Sequence, residues 1–218
     1  MSANNDEPKE YASPPCSRRE LDPLWADTIP QDVAAWRTAE RARLLAARRL
    51  QSVEARAAAA EAVAQRLDAL LGEVRGLTIS GWWPIKAELD LRFWLAGLAA
   101  RGAAAALPLV VERGRPLAFR PWAPGAPMVR GFWNIPVPAE GPEVRPDVVL
   151  APVVGFDAAG YRLGYGGGYF DRTLAALAPH RPRAIGVGLE AARIATIHPQ
   201  PHDIPMQAVV TEEGRVRA

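Results

Sequence analysis

The sequence has a single cysteine and no long apolar run, and each shortage excludes a class of protein. Cys16 has no second cysteine to pair with, so no internal disulfide can form, which fits a reducing compartment. No uninterrupted apolar stretch reaches the ~18 residues that a membrane-spanning helix needs. The N-terminus is polar and acidic, unlike a signal peptide. We therefore expect a cytoplasmic protein without membrane attachment.

Lysine is nearly absent, and arginine carries the basic charge. Lys9 and Lys86 are the only lysines among 26 basic residues, and 24 acidic residues leave a formal net charge of +2. The sequence pI is near 9.0, but no basic block stands out, so we do not expect a nucleic-acid partner. A small acidic molecule is the predicted ligand. No obligate protein partner is indicated, and we expect a monomer.

The chain length of 218 residues suits one domain with a sizeable core. Residues 1–29 contain four prolines, scattered charge and little apolar periodicity, and we expect them to form a flexible tail. Residues 30–218 are predicted to form a single α/β domain.

Helix and strand patterns alternate along that domain. Asp32 and Ser52 are good N-cap residues for helices that continue to Arg49 and Leu71. Strands are predicted at 77–84, at 103–111 with an interruption near Pro108, and at 117–122, 147–154, 183–189 and 207–211. A helix to residue 100 follows the first of them. This alternation predicts a three-layer α/β/α fold around a mostly parallel sheet, with ligands beyond the carboxyl ends of the strands.

A glycine-rich loop lies between the strand at 147–154 and a helix predicted from Thr173. Its four glycines within five residues are Gly164, Gly166, Gly167 and Gly168. Glycine permits positive φ and keeps Cβ atoms away from a ligand, and N–H groups beside a helix N-terminus attract anions. Arg162 and Arg172 add positive charge at the edges. The loop suits a phosphate, although a tight turn between strand and helix is the plainer alternative.

Three arginines of the first predicted helix share one side of it. At ~100° per residue, Arg37, Arg41 and Arg48 fall within an arc of about 40°. Apolar residues border that arc on both sides, so it is not simply the solvent face. We expect these arginines to meet a cleft or an anion. A solvated charged face beside the core is the alternative.

Several motifs together carry a family resemblance. Residues 162–171 read Arg-Leu-Gly-Tyr-Gly-Gly-Gly-Tyr-Phe-Asp, and Gly-Phe-Asp stands at 155–157. The other matches are Arg-x-x-x-Arg at 37–41, Trp-Pro-x-x-x-Glu-x-Asp at 83–90, Trp-Asn-Ile-Pro at 133–136 and His-Asp at 202–203. In this order, from about residue 32 to the C-terminus, they resemble the 5-formyltetrahydrofolate cyclo-ligase family, also called 5,10-methenyltetrahydrofolate synthetase.

The resemblance implies a Rossmann-like fold of the NagB/RpiA type and an ATP- and Mg²⁺-dependent enzyme. Such an enzyme closes 5-formyltetrahydrofolate into 5,10-methenyltetrahydrofolate and releases ADP and phosphate, by way of phosphorylation of the formyl oxygen. ATP is the implied co-substrate, Mg²⁺ the implied metal and a small-molecule folate the implied partner.

The resemblance also implies a role for individual residues. The implied catalytic residues are Glu88, Arg162 and Tyr169. The implied ATP-binding residues are Arg37, Arg41, Arg162, Leu163, Gly164, Tyr165, Gly166, Gly167, Gly168, Tyr169 and Phe170. The implied substrate-binding residues are Trp83, Glu88, Trp133, Tyr165, Gly166, Gly167 and Gly168. Asp171 and Asp203 are the implied magnesium ligands.

The sequence departs from the family pattern at four places, and two other functions stay open. Phe170 stands where many members have tyrosine, Ala192 lies near a position where glutamine is common, Pro201 replaces a frequent glutamate, and Arg37 stands where lysine is common. One alternative is a paralogue that acts on another formylated or pterin-like compound. The other is a protein that binds folate or nucleotide without turnover.

Overall fold

The computed structural model describes residues 30–217, so the predicted tail at 1–29 lies outside the described residues. The α-helices are α1 (Val33–Arg49), α2 (Val53–Leu71), α3 (Arg92–Gly97) and α4 (Tyr169–Leu177). Short 3₁₀ helices span Ala99–Arg101, Phe132–Asn134, Ala178–His180 and Glu190–Ala192. Within this part of the chain, no helix combines the length and apolar character needed to cross a membrane.

Eleven strands are present in the described residues. They are β1 (Thr78–Ser80), β2 (Ala104–Leu109), β3 (Ala118–Trp122), β4 (Met128–Arg130), β5 (Pro136–Pro138), β6 (Val148–Pro152), β7 (Gly155–Phe156), β8 (Arg162–Leu163), β9 (Arg183–Val187), β10 (Ala208–Val210) and β11 (Arg215–Arg217). Seven of them form the main sheet in the order β11–β10–β9–β6–β1–β2–β3. The five middle strands are parallel, and both edge strands are antiparallel. The predicted mostly parallel α/β sheet is confirmed.

The sheet is covered on both faces because side chains alternate along its buried strands. In β6, Val148 and Leu150 belong to the core under α2 and α3, whereas Val149 and Ala151 belong to the core under α4. A third cluster packs α1 beside the glycine loop. In it, Leu44 of α1 packs with Leu163 of β8 and with Ile197, which follows β9.

Two predicted helix starts are confirmed by their caps. The carboxylate of Asp32 accepts a hydrogen bond from the Ala35 N–H at 2.9 Å, and the Ser52 hydroxyl accepts one from the Ala55 N–H at 3.0 Å. Each bond satisfies an N–H group that has no partner inside the helix. The two helices therefore begin and end where the sequence predicted.

The predicted end of a strand around Pro108 agrees with β2, which ends at Leu109; Pro108 itself is tolerated in the strand because β1 pairs only with Ala104, Ala105 and Ala106. One local prediction was wrong. The glycine-rich segment is not one loop from residue 155, because β7 and β8 form a hairpin before it. The helix after the loop begins at Tyr169.

We expect Leu67→Ala to lower the free energy of unfolding by about 2–5 kcal/mol, since it empties a fully buried position of α2. Denaturant unfolding measures the change. Leu50→Ala, at an 87% exposed position, is the matched control and should change stability by less than about 0.5 kcal/mol. Equal effects at the two positions would contradict the described core.

Candidate functional site

The glycine loop, residues 164–168, presents bare backbone at the start of α4. Gly166 and Gly168 adopt positive φ of 94° and 63°, and Gly168 is the N-cap of α4 without a side-chain cap. Among the described residues, no acceptor receives a hydrogen bond from the N–H groups of 164–168. Several free donors at a helix N-terminus form an anion-binding surface.

The loop has little room for side chains. A Cβ on Gly167 would lie 2.8 Å from Cδ2 of Tyr169, closer than such contacts occur. A Cβ on Gly168 would lie 3.0 Å from Nη1 of Arg172, and the guanidinium of Arg172 in turn stacks over the Tyr169 ring at 5.2 Å. A side chain at either position would crowd these neighbours, and at Gly168 the positive φ would add strain.

Arg41 of α1 lies directly against the glycine loop. Its Nε donates to the carbonyl of Gly164 at 2.8 Å, and its Cζ lies 3.5 Å from the Cβ position of Gly166. Burial, together with the positive charge of Arg37, lowers the pKa of Arg41 from its usual high value. An anion at the loop would relieve this crowding of positive charge.

Arg37, one turn earlier, is buried and engaged with the segment before β10. Its guanidinium donates to both carboxylate oxygens of Asp203, to the Ile197 carbonyl at 3.0 Å and to the His198 carbonyl at 2.8 Å. Although burial opposes it, hydrogen bonds from Arg37 and the Gln200 N–H hold the pKa of Asp203 below its usual value. Two predicted site residues, one ATP-binding and one metal-binding, are thus brought together as an ion pair.

Arg162 and Asp171 form a second buried ion pair under the loop. Nη1 of Arg162 lies 2.9 Å from Oδ1 of Asp171, and the two side chains are 4% and 16% exposed. The same Oδ1 accepts a hydrogen bond from the Ile204 N–H at 3.1 Å, whereas Oδ2 receives none from the described residues. The Arg162 guanidinium also stacks over the Phe170 ring at 5.6 Å.

Glu88 faces the glycine loop from the turn after β1. Its Oε1 accepts a hydrogen bond from the Tyr165 hydroxyl at 2.8 Å, and its Oε2 accepts one from the Ile85 N–H at 2.9 Å. Burial raises the pKa of Glu88, against the effect of these two donors and of the nearby positive charge of Arg48. The predicted meeting of the glycine loop with the Glu88 turn is confirmed.

The two predicted tryptophans lie in different surroundings. Trp133, at the tip of the β4–β5 hairpin, is 60% exposed and stands edge-on to Tyr169 with 5.4 Å between ring centroids. Its backbone is left-handed, at φ 55°, which is unfavourable for a bulky residue. Trp83 is half-buried beneath the guanidinium of Arg92 at 4.4 Å. Only Trp133 contacts the start of α4.

Two residues outside the predicted site line the same crevice. Arg48, buried in α1, donates to the Val153 carbonyl and, at 3.4 Å, to the Tyr165 hydroxyl. Trp82 has a buried indole N–H without a hydrogen-bond partner in the described part of the chain. Both line a small cavity with Glu88 at the ends of β6 and β9. The shared helix side of the arginines pointed to Arg48, but no sequence signal separated Trp82 from Trp83.

Comparison with known proteins identifies the family. The model of the 5-formyltetrahydrofolate cyclo-ligase family matches residues 33–212. The chain belongs to this family. A 5-formyltetrahydrofolate cyclo-ligase from Mycolicibacterium smegmatis is 31% identical over 168 residues, which are 69% of this chain and 84% of that protein. The one from Escherichia coli strain K12 is 39% identical over 70 residues, 32% of this chain and only 38% of that protein.

Solved structures of cyclo-ligase relatives share the fold. The 5,10-methenyltetrahydrofolate synthetase of Aquifex aeolicus superposes with a TM-score of 0.70 at 28% identity, covering 83% of this chain and 92% of that one. The corresponding protein of Mycoplasma pneumoniae gives a TM-score of 0.67 at 24% identity, over 81% and 98%. These similarities confirm the three-layer α/β fold.

We expect Glu88→Gln to raise the melting temperature by a few degrees at about pH 7.5. The pKa of Glu88 is higher in the folded protein than in the unfolded chain. Ionisation of this carboxyl therefore lowers the free energy of unfolding as the pH rises from the unfolded-state pKa through the folded-state pKa. At a lower pH the advantage of glutamine should shrink, since the raised pKa makes Glu88 take up a proton more readily than an ordinary glutamate. Thermal unfolding at both pH values tests this, and a variant less stable at both would refute it.

Proposed function

We propose that the protein is a 5-formyltetrahydrofolate cyclo-ligase, which uses ATP and Mg²⁺ to form 5,10-methenyltetrahydrofolate, ADP and phosphate. The observation that carries the proposal is the direct contact of the exposed glycine loop with Glu88 through Tyr165. A phosphate surface and a carboxylate suited to a donor-rich heterocycle thus share one crevice. Family membership and the names of the relatives support this choice of substrates.

The glycine loop is the proposed ATP site. Free N–H groups of 164–168, the N-terminus of α4 and the flanking guanidinium groups would together neutralise the triphosphate. Arg41 is the helix residue in direct contact with the loop. Arg37 would reach a phosphate only by exchanging some of its present partners, and otherwise acts by fixing the segment at 197–203.

The folate is proposed to lie between Glu88 and Trp133. The Glu88 carboxylate would accept hydrogen bonds from the N–H edge of the pterin. Trp133 and Tyr169 offer aromatic surface at the other end of the loop, and such surface also favours a cationic product. Trp83 is assigned to the outer wall of this region, where Arg92 covers its ring.

The chemistry of a formamide explains why a phosphate donor is needed. The formyl carbon is a poor electrophile because nitrogen donates into the carbonyl, and its oxygen is a poor leaving group. Attack of that oxygen on the γ-phosphorus of ATP breaks the bond to ADP and converts the oxygen into a phosphate ester. N10 then adds to the activated carbon, and departure of phosphate leaves the cyclic methenyl cation. The chain contributes positioning and charge neutralisation.

The residues present fit one magnesium ligand better than two. Mg²⁺ in phosphate-transfer sites is held by one or two carboxylates together with substrate phosphates. Asp171 fits, because its Oδ2 receives no hydrogen bond from the described residues. Both oxygens of Asp203 already accept from Arg37, so it would need to loosen that pair. Within residues 30–217, no cluster of three or more metal-ligating side chains occurs. The bound ion would neutralise phosphate charge.

The test of the function is an ultraviolet absorbance assay on 5-formyltetrahydrofolate. We expect the band of the methenyl product only when ATP and Mg²⁺ are both present. ATP turnover with a different formylated or pterin-like compound, without that band, would favour the paralogue. Binding of folate or nucleotide without any turnover would favour a sequestering protein, and either result rejects the proposal.

We expect Gly166→Ala to raise the KM for ATP about tenfold, because an L-residue held at φ 94° is strained and the loop must shift. The steady-state assay with varied ATP measures it. Gly97→Ala, whose Cβ meets nothing within 4 Å, is the matched control and should leave the KM unchanged. An unchanged KM in Gly166→Ala would remove the loop from the proposed ATP site.

A further inference from the structure

Tyr165 is fixed at its hydroxyl and contacted at its ring although it lies in an exposed loop. Its hydroxyl donates to Oε1 of Glu88 at 2.8 Å and lies 3.4 Å from Nη1 of Arg48. The ammonium of Lys86 stands 5.0 Å from its ring centroid. One side chain of the glycine loop is thereby fixed to α1 and to the turn after β1, two elements far apart in sequence.

The turn that carries Glu88 is shaped to meet this tyrosine. Lys86 and Ala87 both adopt left-handed backbone, at φ 48° and 60°, which is rare for residues with a side chain. This conformation lets the Glu88 carboxylate accept a hydrogen bond from the Ile85 N–H at 2.9 Å. It also places the Lys86 ammonium over the Tyr165 ring. Strain in two successive residues persists only where surrounding contacts enforce it.

The hydrogen bonds to Glu88 leave room for a ligand. A carboxylate has about four acceptor positions, two on each oxygen. Tyr165 occupies one position on Oε1, and the Ile85 N–H occupies one on Oε2. The buried indole N–H of Trp82 also approaches the carboxylate, without a hydrogen bond of ordinary geometry to any described residue. The acceptor positions that stay open would take N–H donors of a ligand.

We propose that Tyr165 is a positioning residue that, together with Arg48, orients Glu88 as a carboxylate for a two-donor edge of the substrate and joins it to the glycine loop. This inference rests on the proposed function, because the pterin supplies the donor edge. Neither the hydroxyl of Tyr165 nor the guanidinium of Arg48 touches the reacting atoms. They act through Glu88.

Electrostatics supports this role from each element around Glu88. Arg48 contributes positive charge to Glu88 from α1, whereas the ammonium of Lys86, in the turn itself, stands over the Tyr165 ring. Burial, with the charge of Glu88 next to it, raises the pKa of Tyr165 well above its usual value, so the hydroxyl stays a donor at all physiological pH. Burial raises the pKa of Glu88 as well, and the Tyr165 hydrogen bond opposes that shift. Loss of the hydroxyl should therefore let Glu88 take up a proton at higher pH.

The first test needs no ligand. We expect Tyr165→Phe to raise the pKa of Glu88. The pKa is measured by ¹³C NMR of the Glu88 side-chain carboxyl during a pH titration. Tyr161→Phe is the matched control, because Tyr161 packs beside Leu163 and Ile197 and its hydroxyl bonds to no described residue. An unchanged titration of Glu88 in Tyr165→Phe overturns the proposal whether or not the protein is a cyclo-ligase.

The second test measures binding of 5-formyltetrahydrofolate without ATP. We expect Tyr165→Phe to weaken it about tenfold, as loss of a hydrogen bond to a charged group predicts. The pH below which binding fails should rise, and the loss of ATP affinity should be smaller than the loss of folate affinity. In a Glu88→Gln background, Tyr165→Phe should cause little further loss, because its partner is already altered.

Three outcomes would overturn the positioning role. Folate affinity within twofold of the parent would show that Glu88 does not need the hydroxyl. Equal losses for folate and ATP at every pH would indicate general damage to the loop. Additive losses in the double variant would mean that Tyr165 acts independently of Glu88. A parent protein that binds no folate rejects the proposed function instead, while the NMR titration still decides the link.

Discussion

The site depends on the constraint that parallel strands end at one edge of their sheet. The loops after β1 and β6 must leave the sheet side by side, because β1 and β6 are hydrogen-bonded neighbours. The first of these loops carries Glu88, and the second leads through the β7–β8 hairpin to the glycines. Residues about 77 positions apart in sequence consequently meet at hydrogen-bond distance.

Buried arginines give the crevice its electrostatic character. Arg37 is neutralised by Asp203, and Arg162 by Asp171, so these charges mainly fix the surrounding segments. Arg48 has no carboxylate within ion-pair distance in the described residues and sits close enough to influence Glu88. Arg41 faces the glycine backbone. Some arginines of α1 thus fix other segments of the chain, whereas Arg41 lies at the glycine loop.

Local sequence was sufficient for features that depend on a few neighbouring residues. Asp32 and Ser52 marked two helix starts through capping chemistry, and the glycine run marked the loop. The α/β class followed from alternating patterns. The β7–β8 hairpin escaped prediction because its strands are only two residues long.

Within the site, side-chain partners were harder to foresee than positions. The sequence placed Arg37, Asp171 and Asp203 among the ligand-binding residues, but it held no sign that the arginines and aspartates pair with one another. Such pairs join segments that only the folded chain brings together. The roles of the predicted ATP, folate and magnesium residues remain predictions, as do the monomeric state and the cytoplasmic location.

The ion pair between Arg37 and Asp203 joins positions 166 residues apart. During synthesis, the first helix can seat its guanidinium only after nearly the whole domain has left the ribosome, because the acceptor lies just before the final strands. Until Asp203 has been made, the positive charge of Arg37 has no carboxylate partner on the face of α1 that becomes buried. The crevice is therefore complete only after the segment that carries Asp203 has been made. A product truncated before that segment would lack an assembled site.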